Sequence, residues 1–147
     1  MQLTPNILTS LAKTAVAAGS TDITDAAVAD MQNWEGVRFI FSFGAITGSA
    51  ATSVAACGKD TNSPTPGTDD LAASKITVVD TADDTLIILD IFQPRHRYVR
   101  PFVKRATQNA VLNCIITERY GPRKLPVTKD ATVTDQKVMV SPAVGTA

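Results

Sequence analysis

The chain has 147 residues but only one histidine, His96, one tryptophan, Trp34, and two cysteines, Cys57 and Cys114; its 14 Lys and Arg balance its 14 Asp and Glu. Each scarcity excludes something. Two cysteines and one histidine cannot alone fill an ordinary structural zinc site. The cysteines lie far apart and form no CxxC pattern, so they read as buried small hydrophobes in a reducing compartment, with a disulfide between them left open. A Ser-His-Asp triad would need His96 as its base, and no GxSxG elbow presents a serine. Phosphate-cradling GxxxxGK[ST] and GxGxxG motifs are absent. Asp69-Asp70 and Asp83-Asp84 are adjacent pairs, whose side chains would point apart in a strand, which makes a poor acid-base pair. The reading is a non-enzyme with no catalytic residues, no metal and no cofactor.

Zero net charge provides no global field toward nucleic acid. No stretch approaches the ~18 apolar residues of a membrane helix. The N-terminal segment lacks a basic n-region and carries Lys13 inside its only apolar stretch, which argues against a signal peptide. A soluble protein made in a cytoplasm is expected.

A chain of this length makes one domain with an ordinary core. Residues 86–105, LIILDIFQPRHRYVRPFVKR, organise it. Leu86, Ile87, Ile88 and Leu89 are apolar on both alternating faces, which predicts a central strand buried on both sides, and Pro94 breaks the run. A second strand follows at 98–104, with Tyr98, Arg100, Phe102 and Lys104 on one face. With 111–120 these strands predict a meander. Residues 37–43 alternate most clearly, placing Phe39, Phe41 and Phe43 on one face, read as core. A strand at 52–57 completes a hairpin over 37–57, a short strand is predicted at 76–79 and a last strong strand at 137–140, and 58–70, GKDTNSPTPGTDD, reads as a surface loop. Residues 1–20 read as an extended arm that needs a partner surface, or as one short helix. The fold class is therefore all-β, a small β-sandwich or open β-barrel over 21–147 with an extended N-terminal arm or short helix.

Charge is uneven along the chain. Residues 21–92 hold eleven acidic residues against Arg38, Lys59 and Lys75, whereas 93–124 hold eight basic residues against Glu118 alone. Either the fold exposes an acidic and a basic side, or subunits meet through complementary charge. The face carrying Tyr98, Arg100, Phe102 and Lys104 suits a solvated edge or a protein interface before it suits nucleic acid.

Three strings carry a resemblance: Trp34-Glu35-Gly36-Val37-Arg38-Phe39-Ile40, Gly44-Ala45-Ile46-Thr47, and Ile88-Leu89-Asp90-Ile91-Phe92-Gln93-Pro94 with Arg97-Tyr98-Val99-Arg100. Ala106-Thr107-Gln108-Asn109-Ala110, Tyr120-Gly121-Pro122-Arg123 and the segment 140–147 extend it. From about Trp34 onward the chain resembles the capsid cement or decoration proteins of tailed bacteriophages, small head proteins encoded beside the major capsid protein. The resemblance implies a structural virion protein on the capsid exterior, made in the bacterial host cytoplasm. It would bind the expanded shell as a homotrimer and bridge major capsid protein subunits, without direct nucleic acid or membrane contact. Arg95, Arg97, Tyr98, Arg100 and Lys104, with Ile7, Leu8 and Leu11 of the N-terminal arm, are the candidate capsid or inter-subunit contacts. The alternatives are a head-completion or neck protein of the same virion and a glycan-binding β-sandwich module using Trp34 and Tyr98.

Overall fold

The alternation at 37–43 sets the core. In the computed structural model, which describes residues 6–49, 51–106 and 110–139, Phe39, Phe41 and Phe43 are fully buried on one face of a long strand, Gly36–Ile46. Eight strands occur in the described residues: β1 Ile7–Lys13, β2 Ala29–Asp30, β3 Gly36–Ile46, β4 Ala51–Lys59, β5 Ile76–Val78, β6 Leu86–Phe92, β7 Tyr98–Ala106 and β8 Ala110–Tyr120. They form two four-stranded antiparallel sheets, ordered β1-β8-β3-β6 and β2-β7-β4-β5. Aromatic and branched side chains from both sheets meet between them: the β3 phenylalanines, Val54 of β4, Val99 and Val103 of β7, and Leu112 and Ile115 of β8. The fold is all-β, a small sandwich with no closed barrel.

Several local expectations change. Residues 37–57 are not a hairpin, because β3 and β4 lie in different sheets and the connection between them crosses the sandwich. Residues 86–120 are not a meander, because β6, β7 and β8 alternate between the sheets. Adjacent strands with apolar inner faces can pair side by side or pack face to face, and sequence periodicity is the same in both cases. β6 is an edge strand rather than a central one, and Leu86, Ile88 and Phe92 are exposed. Residues 137–139 form no strand, and Val140 lies outside the described residues, as do residues 1–5, 107–109 and 141–147.

The N-terminal segment is extended rather than helical, and its partner surface belongs to the same chain: β1 pairs with β8 from Ile7↔Tyr120 onward. The 58–70 loop is also docked rather than loose. Gly58 N donates to Asp69 O at 2.9 Å, Thr65 N to an Asp69 carboxylate oxygen at 2.8 Å and Gly67 N to Asp70 at 2.7 Å. The aspartates that mark the segment as a loop also satisfy its backbone.

Candidate interaction surface

The basic residues on and before β7 are consumed largely inside the chain. Arg97 grips the Asp30 carboxylate with two bonds of 3.0 and 2.9 Å, donates to Gln32 at 2.7 Å, and lies over the Tyr98 ring at 4.9 Å. The Arg97 hydrogen bond, more than any other cause, holds the Asp30 carboxyl below its usual range. Lys104 stands 4.0 Å from Asp70 and over the Phe102 ring. Arg100 donates to Thr24 O at 3.4 Å. Arg95 is exposed beside an open cleft of about 820 Å³ between the 93–96 turn and the loop following β4. The acidic and basic halves of the sequence are thus partly an internal match, made when β7 folds against segments drawn from the acidic half.

The candidate contacts do not form one surface. Tyr98, Arg100 and Lys104 stand on the outer face of the β7 sheet, with Phe102 buried among them against Ala55 and Cys57. Ile7 and Leu11 stand on the other sheet, and Leu8 is half-buried in a groove with Trp34 and Pro126. Trp34 in turn carries the Arg119 guanidinium at 5.4 Å. Trp34 and Tyr98 each have a guanidinium over the ring, so neither is a bare platform for a sugar.

What the fold does assemble is the outer face of β1-β8-β3-β6. Register fixes its rows, because directly opposed residues share a face. One row is Leu11, Ile116, Ile40 and Ile88; the next is Thr9, Glu118, Arg38 and Asp90; the third is Ile7, Tyr120, Gly36 and Phe92. Two apolar rows therefore flank a charged one. In the charged row Arg38 Nε donates to Glu118 at 2.9 Å, and that carboxylate holds the guanidinium pKa up. Tyr120 donates its hydroxyl to Asp90 at 2.7 Å, and burial first, then that bond, push the phenol up to about 12. Tyr120 lies so close over β3 that a Cβ at position 36 would fall 2.2 Å from its ring, so Gly36 lets the third row close.

On this face the apolar side chains of the two edge strands are exposed, most of all on β6, while Ile116 and Ile40 between them are half-buried. Leu11 is 37% exposed and Ile88 49%, while Leu86 and Phe92 both reach 62%. The sequence marks all of these as apolar, but LIILDIF is apolar on both faces and periodicity alone cannot distinguish a doubly buried strand from an edge with a greasy outer side. Large apolar side chains grouped on one solvent-facing strand mark an interaction surface more strongly than scattered ones do.

The two thiols are free, Cys57 buried and Cys114 half-buried. Burial pushes the Cys57 thiol up to about 11, leaving on the order of one part in a thousand as thiolate at pH 8. Iodoacetamide added to the native protein at pH 8 is expected to label Cys114 well before Cys57, with the difference lost in denaturant. Peptide mass mapping reads the order, and prior labelling of Cys57 would contradict this placement. Among the described residues, no three His, Cys, Asp or Glu side chains are grouped to hold a metal, and no helix is long and apolar enough to cross a membrane.

No protein-family model matches the chain, and no curated protein matches it. Among solved structures, a chain from Bacillus endospore appendages, described as a novel family of disulfide-linked pili, is similar to it. The likeness covers 78% of this chain and 88% of that one, at 12% identity and a TM-score of 0.48. A likeness so distant carries no argument about function.

Proposed function

We propose that this protein is a structural component of a tailed-bacteriophage head, bound to the outside of the expanded shell, where it bridges major capsid protein subunits and stabilises them. The observation that carries the reading is the exposed apolar face of the β1-β8-β3-β6 sheet, highest at Leu86, Ile88 and Phe92. A rigid sheet presenting apolar rows around a charged row offers a desolvatable centre together with polar groups that fix orientation. Burying it in many copies across subunit joints would raise shell stability by mass action, with no catalytic group involved. The resemblance from Trp34 onward supports the same setting. In this proposal the main contact moves from the β7 arginines to the face that includes Ile7, Leu11, Ile88 and Phe92. A trimer, the absence of nucleic-acid contact and a position on the virion exterior belong to the proposal.

The test is binding to purified expanded and unexpanded heads, with shell melting followed by calorimetry. Expanded heads are expected to bind the protein and melt at higher temperature, and unexpanded heads to bind it poorly. Phe92→Asp should weaken binding about tenfold or more while leaving the fold intact, since Phe92 is 62% exposed. Arg100→Glu should bind nearly as well as the parent. No binding to either form of head would overturn the function. Loss of binding on Arg100→Glu with retention on Phe92→Asp would return the contact to the β7 face. About a dozen copies per virion, rather than hundreds, would mark a neck protein instead.

A further inference from the structure

The same edge strand has a second unpartnered feature, its backbone. Phe43 N donates to Thr85 O at 3.1 Å and Gln93 N to Glu35 O at 2.8 Å, so residues 85 and 93 direct their main-chain groups at β3. Alternation along the strand gives 87, 89 and 91 the same direction and turns the N–H and C=O groups of 86, 88, 90 and 92 outward. No described strand pairs with that side. Asp84 and Gln93 bound the edge with left-handed backbone at φ 53° and 49°. An unpaired edge with exposed apolar residues is a template for another strand.

The chain also contains a strand-like sequence that pairs with no sheet over its described residues, 137–139. The sequence Lys137-Val138-Met139-Val140 has strand character and is stopped by Ser141-Pro142. Yet 137–139 are unpaired, with Val138 47% and Met139 54% exposed. The segment before it passes along β1: Leu11 N donates to Thr132 Oγ1 at 2.9 Å, and Val133, Asp135 and Lys137 lie by Ile7 and Thr9. From there the free side of its own β6 lies four strand spacings away, about 19 Å. Lys137 lies by β1 and the two described residues after it reach at most about 7 Å further, so 137–139 do not lie along that edge in the same molecule.

Charge makes the two features complementary. Between Lys75 and Arg95 the sequence holds Asp80, Asp83, Asp84 and Asp90 with no basic residue, and none of the four is in an ion pair among the described residues. The segment 123–137 carries Arg123, Lys124, Lys129 and Lys137 against Asp130 and Asp135, again with no ion pair among the described residues. We infer that residues 137–140 of one copy add as a strand to the free edge of β6 in a second copy, with Lys137 facing the acidic edge. The contact is heterologous, segment to edge, so it closes into a ring of two or more copies when the rotation closes. It uses the strand edge and leaves the apolar face uncovered, and it does not depend on what that face binds.

Sedimentation of the full chain, without heads, is expected to give a multiple of 15.5 kDa. Removing residues 137–147 should give a monomer. So should Ile88→Pro, which deletes an outward N–H and spares the β3 ladder, a position where an edge strand tolerates proline. An equimolar mixture of these two variants should form a one-to-one pair, because each retains the half the other lacks. If Ile88→Pro fails to fold, Asp90→Lys should weaken association and Lys137→Asp in the same chain should restore it. A full chain that is monomeric at every concentration, association that survives the deletion, a mixture that stays monomeric, or a charge swap that restores nothing would each overturn the inference.

Discussion

Phe41→Ala is expected to cost about 3–5 kcal/mol of folding stability, the range for removing a fully buried aromatic ring. Phe41 sits mid-strand in β3, which is paired on both sides, by β8 and by β6, so the backbone there has little freedom to collapse into the space left. Its ring is fully buried between Phe39 and Phe43 on the same face. The loss combines the transfer free energy of the ring with a cavity that close-packed neighbours fill only in part. Domains of this size are stable by only about 5–15 kcal/mol, so the variant should be close to unfolding at 37 °C. Urea denaturation measures the change as a drop in midpoint at constant slope. Ile40→Ala, one residue away on the half-buried outer face, should cost far less. Equal losses at the two positions would mean that β3 is not the spine of the core.

That contrast also marks what the sequence made legible. The β3 phenylalanines could be assigned to a face because three large rings recur at every second position, with Arg38 and Ser42 on the opposite face. Residues 98–104 likewise place Tyr98, Arg100, Phe102 and Lys104 together, and the β4–β7 register agrees. Pairing was not legible, because a strand's periodicity specifies which side is buried but not which sheet buries it. β6 shows the difficulty most sharply: Ile87, Leu89 and Ile91 point inward, yet Leu86, Ile88 and Phe92 are just as apolar and point to solvent. The charge asymmetry was visible, but its meaning depended on which loops fold over β7. Asp30 reaches Arg97 across 67 residues of sequence, and nothing local announces that partner. The strand-like 137–140 segment is the converse case, a local preference whose described residues, 137–139, pair with no strand.

Arg105 is the residue whose role sequence hid most completely, because sequence shows it only as one of the eight basic residues of 93–124. It is 5% exposed, on the inner side of β7 at its end. Its guanidinium donates to three main-chain carbonyls, Thr21 O at 2.8 Å, Ala17 O at 2.9 Å and Ala110 O at 2.8 Å, while its backbone N–H donates to the Asp22 carboxylate at 2.8 Å. Burial pulls its pKa down and Asp22 opposes that, but an arginine stays protonated across the neutral range, so the bonds persist there. The side chain thereby ties the 17–22 segment and the start of β8 to the end of β7. Arg105→Ala is expected to cost about 3–5 kcal/mol, since it orphans buried carbonyls as well as opening space. Arg105→Lys should recover only part of this, because an ammonium lacks the planar fork that reaches several carbonyls at once. Urea denaturation gives the total loss. Hydrogen exchange locates it: Ile23 N, which donates to Val103 O at 2.8 Å, should lose protection before the β3 amides do. A loss under about 1 kcal/mol, or exchange that quickens uniformly, would show that water replaces the guanidinium and that this end of the fold is held by other contacts.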